Sequence, residues 1–186
     1  MQESTPITHS TADGSAVRED PRGELGEAGN KMIGRMLSPF WFRLYMLRNL
    51  PLGLFAGLRI KSLSRDGCTA TVPYGWRSTN PFRSTYFAAL SMAAELSTGA
   101  IAVVATRIAP TKVSMLPVRM EAEFLKKATG TTNFTCEEGE KFFDAVRNTV
   151  ETGEPASVEA ETVGEMSDGT IVARFRFRWS FLSKTT

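Results

Sequence analysis

Glu95 is the one charged side chain between Arg83 and Arg107. It sits midway along residues 84–106, a stretch dominated by Ala, Leu, Met, Val, Ile, Ser and Thr, with the aromatic pair Tyr86 and Phe87 near its start. A carboxylate among apolar helix faces is costly to bury unless it has a partner or chemical work. General acid–base chemistry is the work that burial suits, because desolvation lifts a carboxyl pKa toward neutrality. The alternative is an ion pair with Arg77, Arg83 or Arg107, and the spacing leaves both readings open.

The segment around Glu95 predicts a helix, since Ala88, Ala89, Leu90, Met92, Ala93 and Ala94 are strong helix formers. Small residues on most of its sides let other backbone approach closely, as in a helix wrapped by a sheet. Ahead of it, residues 31–37 read as a short helix. Ser38-Pro39 reads as an N-cap and a first-turn proline, opening a second helix to about Arg48. Its side chains Phe40, Trp41, Leu44, Met46 and Leu47 predict packing over a sheet edge or core opening. The alternative is a surface helix that dips into lipid, with Arg43 and Arg48 at the headgroups. Residues 54–63 and 68–74 read as strands joined around Asp66-Gly67.

Beyond the central helix, residues 113–124 read as a strand bent at Pro117, and 130–136 as another. Thr135 and Glu138 have capping-box spacing, and Gly153 suits the end of the helix between. Phe142, Phe143, Val146 and Val150 line one side of that outer helix. Asp168-Gly169 is a turn signal. Pairing outward from it sets Glu161 opposite Arg176, Glu159 opposite Arg178, Thr162 opposite Phe175, Ala160 opposite Phe177 and Val158 opposite Trp179. Acid meets base on one face and mostly apolar meets apolar on the other, so a one-residue slip would destroy both matches. The sum is an α+β chain, an antiparallel sheet curled around a long central helix, with an N-terminal helix and an extra outer helix.

Composition limits what this fold is expected to do. The 186 residues, 42% hydrophobic, suit one domain. Net charge is +2, yet the first 30 residues hold six acids against two arginines, which leaves +6 on the rest. A modestly basic body suits anionic ligands such as phosphorylated cofactors, and is too weak to argue for nucleic acid. Residues 1–29 read as a disordered tail without a secretory apolar stretch, and 30–186 as a single domain. The sole histidine, His9, falls in that tail, which excludes His-based triads in the body and argues against zinc. Cys68 and Cys136 read as buried, reduced thiols of a cytoplasmic protein. Residues 84–106 are long enough to span a bilayer, but Glu95 near their centre argues against it. Met36, Met46, Met92, Met115 and Met120 read as core filler or acyl-tunnel lining. Lys126 and Lys127 read as solvated or as phosphate contacts. Arg174, Arg176 and Arg178 alternate with aromatics as on an RNA-binding sheet, but those aromatics face the other way and glutamates answer two of the arginines.

Residues 80–99, running from Asn80 through Tyr86-Phe87 to Glu95 and Gly99, resemble the signature of PaaI-like hotdog-fold acyl-CoA thioesterases. Asn80 occupies the asparagine position of that signature and Glu95 the acidic position. Tyr86 and Phe87 stand where the family has His-Gly, whose glycine lets a thioester carbonyl approach the helix amides. Residues 123–130 also resemble the strand and turn that follow the helix in an uncharacterised branch. The resemblance spans about residues 50–183 and implies a hotdog domain acting on acyl-CoA or acyl-carrier thioesters. It implies no metal, and no cofactor beyond the coenzyme A of the substrate. It implies a groove shared between subunits of a homodimer or tetramer. In this reading Glu95 is the general base or orients water, and Asn80 holds the water or the carbonyl. The backbone N–H groups of Phe87 and Ala88 polarise the carbonyl, helped by the helix dipole. The Tyr86 hydroxyl is a replacement donor, and Ser91 and Thr98 hydrogen-bond the carboxylate or water. Loss of His-Gly favours the alternative, a hotdog protein that binds acyl-CoA without turnover.

Overall fold

Pro39 and Pro51 punctuate the start of the folded chain. Each takes a first-turn position, where a missing N–H costs nothing and the fixed φ suits the helix. They divide the opening into α1 (Gly26–Leu37), α2 (Pro39–Asn49) and α3 (Pro51–Ala56), in a computed structural model that describes residues 25–184. His9 and most of the expected tail lie outside those residues, and α1 starts four residues before the expected boundary at Asn30.

Two expectations are corrected here. Residues 54–63 are not one strand. Gly57, at φ +82°, ends α3 by donating its N–H to the Leu54 carbonyl at 3.1 Å, and only β1 (Arg59–Leu63) is extended. Nor is α2 packed on most of its apolar residues: it buries only Phe42 and Met46, leaving Phe40 68% and Leu47 62% exposed.

The remaining elements follow the expected order. They are β2 (Cys68–Val72), α4 (Phe87–Ile108), β3 (Val113–Phe124), β4 (Thr132–Cys136), α5 (Gly139–Thr152), β5 (Ala156–Met166) and β6 (Ile171–Ser183). The strands form one antiparallel sheet in the order β1-β2-β4-β5-β6-β3. Cys68 faces Cys136 across β2 and β4, both buried and unbridged.

The β5–β6 register is the expected one at all five pairs. It shifts by one only past Gly164, where the chain approaches the turn at Asp168-Gly169. Arg174 and Arg176 share Glu161, Arg176 also reaches Glu121 at 4.0 Å, and Arg178 meets Glu159, so three carboxylates answer this row of three cations. Behind it Phe175, Phe177, Trp179 and Phe181 are buried against α4 and α5.

The expected capping box does not form. Thr135 Oγ1 instead lies 3.1 Å from Thr69 Oγ1 across the β2–β4 pair, and Glu138 accepts from the Glu161 N–H at 2.7 Å. Helix α5 begins at Gly139, whose N–H donates to Asp66 O at 2.7 Å. Gly153 ends α5 at φ +75°, as expected. Phe142, Phe143 and Val146 are buried beneath it.

Two buried hydroxyls set the helix against the sheet. Ser97 Oγ lies 2.8 Å from Thr162 Oγ1 of β5, and Trp179 Nε1 of β6 donates to Thr98 Oγ1 at 3.1 Å. Each such bond contributes about 1 kcal/mol. Their larger effect is rotational, because they fix which face of α4 turns away from the sheet. Helix α4 is long and apolar enough to cross a membrane, and two-thirds of its most apolar stretch is buried inside the folded chain, against the sheet, α1 and α5.

Candidate active site

The loop before α4 is held by its own side chains. Asn80 Oδ1 accepts from the N–H groups of Phe82 at 2.9 Å and Ser84 at 3.2 Å, and its Nδ2 lies 3.1 Å from Ser84 Oγ. This local wrapping places Arg83 at φ +59°, the only non-glycine in that region among the described residues. Thr85 N–H then donates to Ala128 O at 2.7 Å, and Tyr86 N–H to Ser78 O at 2.6 Å. Tyr86 stands at the N-cap with no side-chain cap bond. Among the described residues, the N–H groups of Phe87 and Ala88 have no backbone acceptor. They are unclaimed backbone donors at the positive end of a 22-residue helix.

Two turns further on, Glu95 opens onto a cleft of about 430 Å³. Ser91, Met92 and Glu95 form one wall, Pro117, Val118, Arg119 and Met120 the other, and Phe177 the floor. The β3 wall exists because the register slips between Pro117 and Arg119. Proline cannot donate to a ladder, which accounts for a bulge at this sheet edge.

Glu95 is half-buried, and among the described residues it makes no ion pair. The expected alternative partners Arg77, Arg83 and Arg107 are therefore unused. Desolvation raises its pKa above the ordinary carboxylate range. Gly99 makes the seat: a Cβ there would stand 2.8 Å from Glu95 Oε1 and 3.3 Å from the Trp179 ring. Gly99→Ala is expected to cost little stability, since alanine gains about 1 kcal/mol over glycine in a helix. It should push the carboxylate toward the cleft and bring its pKa back toward the ordinary value. NMR titration of the Glu95 carboxyl measures this, and an unchanged midpoint would refute the seat.

The expected site residues separate. Ser91 and Glu95 share the cleft, although the Ser91 hydroxyl donates to Phe87 O at 2.9 Å. Tyr86 and Phe87 are exposed at the helix start, their rings 4.8 Å apart, with Phe87 reaching Phe124 at the end of β3. Ala88 is half-buried beside them. Asn80 is engaged in its own loop and is not among the cleft residues. Thr98 is corrected: fully buried, it donates to the Glu95 main-chain carbonyl at 3.1 Å and accepts from Trp179, so its hydroxyl holds the helix and not the carboxylate. Of the methionines, Met92 and Met120 line the cleft while Met46 is core. Gly99, Val118 and Phe177 carry no sequence signal for the site, because each acts through an approach that only the folded chain creates.

The family model for DUF4442, a domain of unknown function, matches residues 41–181. The chain belongs to the DUF4442 family. No curated protein matches it. Solved structures align over most of this DUF4442 chain. A Pseudomonas aeruginosa protein of unknown function, described as a probable thioesterase, is 20% identical with a TM-score of 0.65, covering 81% of this chain and 100% of that one. A Chlorobaculum tepidum protein of unknown function is 15% identical with a TM-score of 0.66, covering 80% and 99%. A Haemophilus influenzae thioesterase is 13% identical with a TM-score of 0.57, covering 75% and 88%. At these identities the likeness establishes the fold alone. DUF4442 here is a hotdog domain, with α4 wrapped by the six-stranded sheet, and its neighbours include thioesterase-like proteins.

Proposed function

We propose that this chain hydrolyses an acyl thioester of coenzyme A or an acyl carrier at the cleft beside Glu95. The observation that carries the reading is a half-buried, unpaired carboxylate of raised pKa opening onto a cavity, on the same helix as two free amides. Glu95 takes a proton from water as the oxygen attacks the thioester carbon. The amides of Phe87 and Ala88 hold the oxyanion. Collapse breaks the C–S bond, giving the carboxylic acid, and the leaving thiolate takes the proton.

Helix geometry adds a requirement. Phe87 and Glu95 are eight residues apart, roughly 12 Å along the axis. One thioester cannot reach both in the same protomer, so the amides of one copy serve the carboxylate of another. The β3 edge supports such a homodimer. It is a twelve-residue outer strand with Leu116, Val118 and Met120 exposed, the kind of edge that proteins cover.

Release of free thiol from acyl-CoA esters of graded chain length tests the activity, and sedimentation tests the dimer. The second reading, binding without turnover, is favoured by Phe87 standing exposed at the helix start. Tight acyl-CoA binding with no thiol release would select it.

A further inference from the structure

We infer that the face formed by α2, α3 and the loop after β2 docks on an anionic lipid bilayer. This inference does not rest on the hydrolase reading. Helix α2 spends Phe42 and Met46 on the core and turns Phe40, Trp41, Leu44 and Leu47 outward. Helix α3 adds Leu52 and Phe55. Phe55 meets Trp76, 82% exposed, edge-on at 5.9 Å, which joins the loop to α3, and Leu50, also exposed, stands between α3 and α2. Contiguous apolar surface of this kind is rare unless something covers it.

Charge identifies the cover. Between residues 28 and 94 the chain has nine lysines and arginines and a single acid, Asp66. Among the described residues only Arg65 of the nine finds a carboxylate, Glu140. On the sheet, by contrast, glutamates answer Arg174, Arg176 and Arg178. Beside the patch, a groove of about 750 Å³ between α1, α2 and α4 is walled by Met32, Trp41 and Tyr45, with Lys31, Arg35, Arg48 and Arg107 around it and no acid. Aromatic and aliphatic side chains projecting among unanswered cations match the acyl boundary and phosphate layer of an anionic membrane. Two copies of this face would set like charges against each other. An acidic protein would answer the cations but does not call for so wide an apolar surface.

The test uses the full chain and vesicles of phosphatidylcholine with or without phosphatidylglycerol. The protein is expected to sediment with the anionic vesicles and to be released by salt. Emission from Trp41 and Trp76 should shift to the blue as their rings leave water. The charge variant Arg43→Gln/Arg48→Gln should lose about fivefold in binding for each arginine removed. Leu47→Ser/Trp76→Ser, at exposed positions that leave the core intact, should lose the vesicles while keeping its melting temperature. Absence of vesicle binding overturns the inference, as does equal binding by the charge variant or an unshifted emission. A lower oligomeric mass for Leu47→Ser/Trp76→Ser without lipid would assign the face to a second copy. Arginine-dependent capture of an acidic carrier protein without vesicle binding would assign it to a protein partner. Either result overturns the bilayer reading.

Discussion

Glu95→Gln should lower thioester hydrolysis on the order of 100- to 10,000-fold, the range that general acid–base groups supply. Glutamine keeps the shape and removes the proton acceptor, so substrate affinity should change little while kcat falls. Steady-state thiol release separates the two, and equal kcat for variant and wild type would remove Glu95 as the base. The same variant carries a stability signature of opposite sign. Glu95 binds its proton more tightly in the folded protein than in the unfolded chain. Wild-type stability from this group is therefore fully present below the ordinary carboxylate pKa and is lost as pH rises through the raised value. Glu95→Gln should melt at a higher temperature than wild type at neutral pH, and the gap should close in acid. Scanning calorimetry across that range checks it. An inactive, stabilised variant would mark a residue kept at a cost to the fold.

Gly139→Ala is expected to destabilise the protein by about 3 kcal/mol, at the upper end of overpacking costs. A Cβ there would stand 2.0 Å from Arg65 O and 2.6 Å from the Asp66 carbonyl carbon. These are backbone atoms of the β1–β2 turn, so no side chain can swing aside. The same turn is pressed by the residues just before α5 as well, where a Cβ on Gly67 would meet Cys136 O at 2.3 Å and Glu137 Cα at 3.2 Å. At roughly 2–4 °C per kcal/mol for a chain of this size, the midpoint should fall by about 6–12 °C. Because the turn lies away from the cleft, turnover by the surviving folded fraction should be unchanged. An alanine variant that melts with wild type would show that the turn can relax away from α5.

The central helix and the last hairpin were legible because each carries its signal within its own residues. Glu95 inside a small-residue run implied enclosure, and two matched faces fixed the β5–β6 register. Helix α3 was not legible in the apolar run of residues 54–63, where Leu54, Phe55 and Leu58 masked the boundary between Pro51 and Gly57. The capping box failed because Thr135 is claimed by a neighbouring strand, which local spacing does not reveal. Within the site, Glu95 and Ser91 could be named in advance because both lie on one helix face. The β3 wall could not, although Pro117 marked a bend, because the bulge becomes a wall only opposite α4. Asn80 and Thr98 illustrate the converse: each lies within reach of the site by sequence, yet its bonding capacity is already committed to the loop or the helix that carries the site.

Cys68 and Cys136 face each other in the sheet interior, and burial pushes their thiols up to about 12 and about 11. At the mildly alkaline pH of a colorimetric thiol assay almost no thiolate is present on either. The folded chain is therefore silent toward aromatic disulfide reagents, and any colour in a turnover experiment belongs to thiol released from the added thioester. Two equivalents of slow background per chain would instead count molecules that have opened, giving an internal gauge of unfolding alongside catalysis.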